Sequence, residues 1–239
     1  MPLPAEADYD ALWTSAWGDN QRFGPIHRHQ RRILKSLLRG YTFSSVLDLG
    51  CGEGSNLGFV LREFPAVIRA MGVDVSEEAL AQARELLPGV GFRALDCQRE
   101  RLEETFDVVY SSDVIEHVPD DAAFLGNAFA MTGTVFLVGT LQGRMREFEK
   151  GIGHVRNYAP GELRAKCEAA GFAVVREVNW GWPLYSPLYR DFNNTSCCQQ
   201  ATGGSYGFMK RLVCDCLYAL FLCNSSRRGD IVWLACEKP

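Results

Sequence analysis

The chain has 239 residues, 47% of them hydrophobic and 23% charged, proportions that exclude a disordered, collagenous or low-complexity protein. Its 25 Lys+Arg against 29 Asp+Glu leave a net charge of -4, which argues against a general nucleic-acid binder with its basic excess. Nine cysteines would need an oxidising compartment to form a disulfide framework. The opening residues carry neither a basic start nor an apolar stretch, so the expectation is a cytoplasmic protein with free thiols.

Residues 8–39 read as helical, with Ile33, Leu34, Leu37 and Leu38 on one face and a solvated basic face from Arg28 to Arg39 on the other. From residue 44 the pattern alternates. Strands are predicted at 45–49, 68–75, 92–95, 106–111, 134–138, 172–178 and 231–236. Helices fall after the first two strands and at 119–131 and 159–170. Such alternation predicts an α/β fold, a doubly wound sheet with helices on both faces. Residues 181–228 interrupt it with an aromatic turn, a polar loop and an amphipathic helix at 208–223. The organisation expected is one domain: a helical cap (1–43), a core (44–180), an insertion (181–228) and a last strand (229–239). The longest apolar run, 212–223, contains Asp215 and falls short of the roughly 20 residues of a membrane span.

The first predicted strand ends in Asp48-Leu49-Gly50-Cys51-Gly52-Glu53-Gly54. Glycines between a strand and a helix let the backbone turn sharply and approach a ligand, and the helix start offers free N–H groups. The spacing is Gly-x-Gly-x-Gly. A carboxylate just before it would repel a pyrophosphate but suit an ammonium group. Asp74 ends the second strand, where a carboxylate can hold ribose hydroxyls. Asp96 ends the third, placed to accept from an exocyclic amine with the Cys97 N–H beside the ring. Asp113 follows the fourth. Strand-end aspartates are also ordinary turn formers, but four in succession beyond a glycine cluster point to a ligand at the carboxyl ends of the strands.

These residues, with Gly72-Val73-Asp74, Leu95-Asp96-Cys97 and Asp113-Val114-Ile115-Glu116-His117-Val118, resemble the class I S-adenosylmethionine-dependent methyltransferases over residues 44–180. The resemblance implies a Rossmann-like seven-stranded sheet in the order 3-2-1-4-5-7-6 with the last strand antiparallel. It implies S-adenosylmethionine as methyl donor and S-adenosylhomocysteine as product. Gly50, Cys51, Gly52 and Gly54 would back the methionine moiety and Asp48 would face its amine. Asp74 and Val75 would meet the ribose, Asp96 and Cys97 the adenine, and Ser112, Asp113 and Val114 the methyl-donor site. Gly153-His154-Val155-Arg156-Asn157-Tyr158 is similar to a segment of the small-molecule branch that includes quinone and sugar methyltransferases.

The expected reaction is methylation of a small-molecule acceptor at oxygen. His154 is the candidate base or acceptor-orienting residue, since imidazole titrates near neutrality. His117 is a second candidate, with a structural role beside Glu116 as the alternative. Arg156 could pin an anionic acceptor or brace its loop. Tyr158 is expected to pack. Tyr9, Trp13, Phe23 and His27 could cap the site, and the aromatics at 180–185 could wall the acceptor or pack on the sheet. The 208–223 helix suits burial on the sheet or in a homodimer, or a membrane-surface contact. Cys214 and Cys216 lie about 200° apart around a helix, and no Cys-x-x-Cys pair occurs, so no metal site is expected. N- or C-methylation, a non-catalytic donor-binding module, and an RNA or protein substrate are the alternatives.

Overall fold

The computed structural model describes Asp10, Trp13 and residues 19–194 and 204–239. Tyr9, Cys197 and Cys198 lie outside them. In chain order the elements are α1 (Asn20–Phe23), α2 (Pro25–Leu38), β1 (Ser45–Leu49), α3 (Ser55–Glu63), β2 (Arg69–Asp74), α4 (Glu77–Leu86), β3 (Gly91–Ala94) and β4 (Phe106–Ser112). A single turn at Ile115–His117 leads to α5 (Asp121–Met131), β5 (Thr132–Leu141), α6 (Glu147–Gly151), α7 (Glu162–Ala169) and β6 (Ala173–Trp180). An irregular turn at Leu184–Tyr189, α8 (Arg190–Asn193), α9 (Phe208–Phe221) and β7 (Ile231–Glu237) complete it.

The seven strands form one sheet in the order β3-β2-β1-β4-β5-β7-β6. The first five run parallel, and β7 pairs antiparallel with both β5 and β6. Both the order and the antiparallel last strand match the sequence expectation. β1 is buried along its whole length, whereas β3, at the edge, is largely exposed. This is why the central strands read as unbroken apolar runs. One core layer lies between the sheet and α5 and α7, with Phe106, Phe124, Phe136 and Phe172. The other gathers Leu34, Leu37, Val60, Trp180, Phe221 and Trp233 under α2 and α3. Trp233 fits because β5 has a glycine opposite: a Cβ on Gly139 would come within 2.1 Å of the indole.

Two expectations about the flanking helices change. The helix read across residues 8–39 is broken at Gly24, and Pro25 opens α2 at a position where its missing N–H costs nothing. The basic face of α2 is packed in part, while Arg32 and Arg39 stay exposed as expected. Arg31 is buried and donates to the Gln21 and Arg22 carbonyls, and Arg28 pairs with Asp215 and lies 4.0 Å over the Tyr218 ring. Gln21 and Arg22 belong to α1, whereas Asp215 and Tyr218 come from α9, which packs along α2 and sends Phe221 into the core beside Trp180. Cys214 is buried and Cys216 exposed, as the helical spacing requires. None of the described helices is long and apolar enough to cross a membrane.

Candidate active site at the carboxyl ends of the strands

The turn after β1 is built from backbone. Gly50, Gly52 and Gly54 all have positive φ, at 77°, 52° and 82°, a region that costs other residues about 1–2 kcal/mol each. The Gly50 and Cys51 N–H groups donate to the Val73 carbonyl at 2.8 and 2.9 Å, tying the turn to β2. A Cβ on Gly50 would stand 2.3 Å from a Val114 methyl, and one on Gly52 2.3 Å from the Trp13 indole. The turn is therefore a cradle that side chains would fill. Two residues of the N-terminal segment reach it: Trp13 across Gly52, and Asp10, which accepts from the Ser76 hydroxyl at 2.5 Å.

The strand-end carboxylates surround this cradle in different states. Asp48 is buried and accepts from the Tyr110 hydroxyl at 2.6 Å, and burial pushes its carboxyl up to about 8. Asp74 accepts from the Gly52 N–H at 2.8 Å and the Ser76 N–H at 3.0 Å. Burial raises its carboxyl despite those bonds. Val75 beside it is half exposed, an apolar surface at the strand end. Asp96 is held by Gln98, through its backbone at 3.1 Å and its amide at 3.2 Å, and by Arg99 at 3.2 Å. The Cys51 and Cys97 thiols are buried next to these acids, and desolvation holds both in the protonated form.

Beyond β4, Asp113 takes φ 57°, the one non-glycine residue with positive φ among those described. Its strained backbone is fixed by side chains from α2. Gln30 donates to Asp113 at 2.9 Å and accepts from the Ser112 hydroxyl at 2.9 Å, and His27 lies 3.8 Å from the same carboxylate. Burial and the Arg31 charge lower His27 to about 3, so this contact is between a neutral imidazole and the acid. Val114 packs on Gly50.

The next turn holds Glu116 and His117 beside His154. The His117 and His154 rings meet edge to face with centroids 4.6 Å apart. His154 donates from Nδ1 to Asn157 Oδ1 at 3.3 Å, because the Asn157 amide nitrogen is committed to Glu149 at 2.9 Å. Glu149 is also bonded by Arg190, a fully buried guanidinium that pairs with Asp230 as well. Glu116 Oε2 accepts from Thr140 at 2.7 Å. Desolvation lowers His117 to about 3 and His154 to about 4.

Arg156, Trp180 and Tyr185, offered for the acceptor side, do other work, and Tyr158 packs as expected. The Arg156 guanidinium donates to the Val118 and Pro119 carbonyls at 2.5 and 2.6 Å and pairs with Asp121 at 3.3 Å. It braces the loop, and this arrangement does not aim it at an acceptor. The Tyr158 hydroxyl is buried against Asp121 at 3.0 Å. Trp180 and Tyr185 belong to the core, stacked with centroids 5.6 Å apart, so they pack the insertion and do not form an open wall.

Gln30, Thr140, Glu149, Asn157 and Arg190 were not identified from the sequence. Only Glu116, named beside His117 in the strand-end motif, gave a hint of this second layer.

Residues 46–133 match a family model described as a methyltransferase domain. The chain is 32% identical over 165 residues to a ubiquinone biosynthesis O-methyltransferase of Paramagnetospirillum magneticum, covering 58% of this chain and 63% of that protein. It is 29% identical over 177 residues to a trans-aconitate 2-methyltransferase of Azoarcus sp., covering 72% and 68%. The chain thus spans a little less than two thirds of the first of these relatives. Among solved structures, that of the [4+2]-cyclase SpnF superposes with a TM-score of 0.67 at 16% identity, covering 100% of this chain and 98% of that one, which is a likeness of fold. The glycine cradle, the strand order and these matches agree: the chain carries a methyltransferase domain over residues 46–133, in the sheet order expected of the class I S-adenosylmethionine-dependent methyltransferases.

Proposed function

We propose that this chain methylates a small molecule at oxygen, using S-adenosylmethionine as donor. The observation that carries the reading is the continuity of two half-sites across Asp113 and Val114. On one side lies the positive-φ glycine turn with Asp48 and Asp74. On the other lie the neutral imidazoles of His117 and His154.

The cradle at Gly50, Gly52 and Gly54 fits a ligand that needs close backbone approach. Asp48 would hold the donor's ammonium, Asp74 a ribose hydroxyl, and Asp96 with the Cys97 N–H the adenine edge, against Val75. When bound, the donor supplies an electrophilic methyl on sulfonium. The chain's own contribution is to place an acceptor hydroxyl in line, and alignment alone supplies a large share of such an acceleration. Asn157 fixes His154 with Nδ1 protonated and leaves the Nε2 lone pair for the acceptor side. His117 packs against that ring and positions it.

The trans-aconitate relative's name points instead to a carboxylate acceptor. Arg156, the cation the sequence offered for such a group, is spent on its own loop. This favours a neutral hydroxyl, as on a phenol, quinol or sugar.

Calorimetric titration with S-adenosylmethionine and S-adenosylhomocysteine tests the donor half. A labelled-methyl screen of phenols, quinols, sugars and polycarboxylates tests the acceptor half. Micromolar binding of both nucleosides with label transfer to a hydroxyl compound is expected. Label appearing only in methyl esters of polycarboxylates would overturn the acceptor assignment, and absence of donor binding would overturn the whole reading.

A further inference from the structure

We propose that Glu116, His117 and His154 form a binding site for a divalent transition-metal cation, beside the position assigned above to the acceptor. One ligand atom from each of the three lies within 4.8 Å of the others. A tetrahedral ion with bonds of about 2.0–2.2 Å needs its ligand atoms roughly 3–3.5 Å apart, so a small side-chain rotation closes the set. Two imidazoles and one carboxylate suit zinc and its neighbours in the first transition row rather than magnesium or calcium, which prefer oxygen.

Four further observations point the same way. Glu116 is 1% exposed, and its Oε1 has no hydrogen-bond partner among the described residues. A buried carboxylate oxygen left in that condition is costly unless something positive meets it. Burial raises the Glu116 carboxyl, and the charges that act on it, those of Asp113 and Glu149, are both negative, so a bound cation would take the place of a proton there.

Each candidate ligand is also oriented from behind, as metal ligands generally are. Thr140 donates to Glu116 Oε2, Asn157 accepts from His154 Nδ1, and the Gly153 carbonyl takes a hydrogen bond from the His117 ring. His117 is only half-buried, which leaves an entry path, and three protein ligands leave a coordination position open to an acceptor oxygen. The three residues come from two loops 37 positions apart in the chain, after β4 and after α6, so no local spacing motif announces them.

The inference deepens the proposed function, giving the His154 Nε2 lone pair to the ion that would hold the acceptor oxygen and not to the acceptor's proton, and it rests on that function only for the identity of the bound oxygen ligand. An acceptor hydroxyl on the ion would be acidified. Its oxygen would then take the methyl as the carbon–sulfur bond breaks. The electron pair would stay on sulfur and the hydroxyl proton would pass to solvent.

The test uses the full chain, freed of metal by a chelator and titrated with Zn2+ and Co2+, with zinc X-ray absorption on the unmodified protein. We expect one tightly held ion per chain and a first shell of nitrogen and oxygen with imidazole scattering. Glu116→Gln and His154→Gln should each weaken the ion at least tenfold. A sulfur-dominated shell would place the ion on the cysteines and overturn the proposal. So would failure to retain zinc, or an affinity unchanged in both variants. The absorption measurement decides the matter should the variants fold poorly. Donor calorimetry on the metal-free chain separates the two readings. Donor binding without an ion sinks only this proposal, and an ion without donor binding sinks only the methyl-transfer reading.

Discussion

The Tyr110 hydroxyl donates to Asp48 across 2.6 Å in a fully buried contact between neighbouring strands. The bond favours the carboxylate, yet burial outweighs it and pushes Asp48 from 3.8 up to about 8. The free protein therefore keeps a proton that the unfolded chain loses near pH 4. Stability from this raised value is complete below about pH 4 and is lost as pH climbs towards 8. The melting temperature of the ligand-free chain should fall across that window, and Asp48→Asn should flatten the fall.

Donor binding should show the complementary sign. An ammonium at Asp48 needs the carboxylate, so binding at pH 7 expels a proton. The apparent affinity should rise about tenfold per pH unit up to about 8. Titrations in buffers of different ionisation enthalpy read the proton directly. A heat independent of buffer would remove Asp48 from the ammonium site.

Asp74 joins two loops as well as facing the cradle. Asp74→Ala takes the acceptor from the Gly52 and Ser76 N–H groups, which costs about 1–3 kcal/mol per group left unsatisfied in a buried setting. Donor affinity should fall tenfold or more and the melting temperature should drop with it. Asp74→Asn, which retains one acceptor oxygen, should recover more of the stability than of the affinity.

Gly50→Ala places a methyl 2.3 Å from Val114 at φ 77°. It should abolish measurable donor binding and lower stability by about 1–2 kcal/mol from the backbone alone. Adding Val114→Ala should return part of the stability and none of the affinity. Parallel denaturation and calorimetry on the single and double variants would show this.

Arg190 is 1% exposed at its side chain and sits between Glu149 and Asp230. Arg190→Met leaves the fully buried Glu149 without its cation and Asp230 with only Arg146, 3.4 Å away. The expected loss is about 3–5 kcal/mol, read by denaturant unfolding. Glu149 also holds Asn157, so this variant should disturb His154 and lower turnover beyond the loss of folded protein.

His154→Ala should reduce turnover about 100-fold or more and leave donor affinity unchanged, because its ring packs on His117, away from the glycine turn proposed for the donor. Full activity on a hydroxyl acceptor would remove it from the reaction.

The sheet was legible because its signals are local. β1 was placed to the residue, since Val46, Leu47 and Leu49 are bounded by a serine and a glycine. The three glycines and four aspartates could be found because strand ends face one edge of a parallel sheet. The break at Gly24 was visible in Gly24-Pro25 but was outweighed by the helical periodicity around it. Arg28 and Arg31 escape the pattern for a physical reason: a helix's periodicity marks its faces but not the elements that cover the polar one, here α1 over Arg31 and a second helix over Arg28. α9 does this for α2 from nearly two hundred residues away. The chain from Arg190 through Glu149 and Asn157 to His154 begins with a contact between residues 41 apart, and its shorter links lie in an irregular loop with no periodic trace. Arg156 and Tyr158, by contrast, showed the right residue types, and only the coordinates reveal that both are engaged with the turn before α5 and with Asp121.

The Trp13 indole lies against Gly52, and Asp10 is anchored at Ser76. Through these two side chains the N-terminal arm touches the surface proposed for the donor. Arrival of the nucleoside is then a replacement rather than an addition, and the arm is a tethered rival present at high effective concentration. Trimming it should tighten nucleoside binding while leaving the reacting methyl open to water. The same few residues that delay entry would then be those that keep the reaction dry once they settle again over the bound donor.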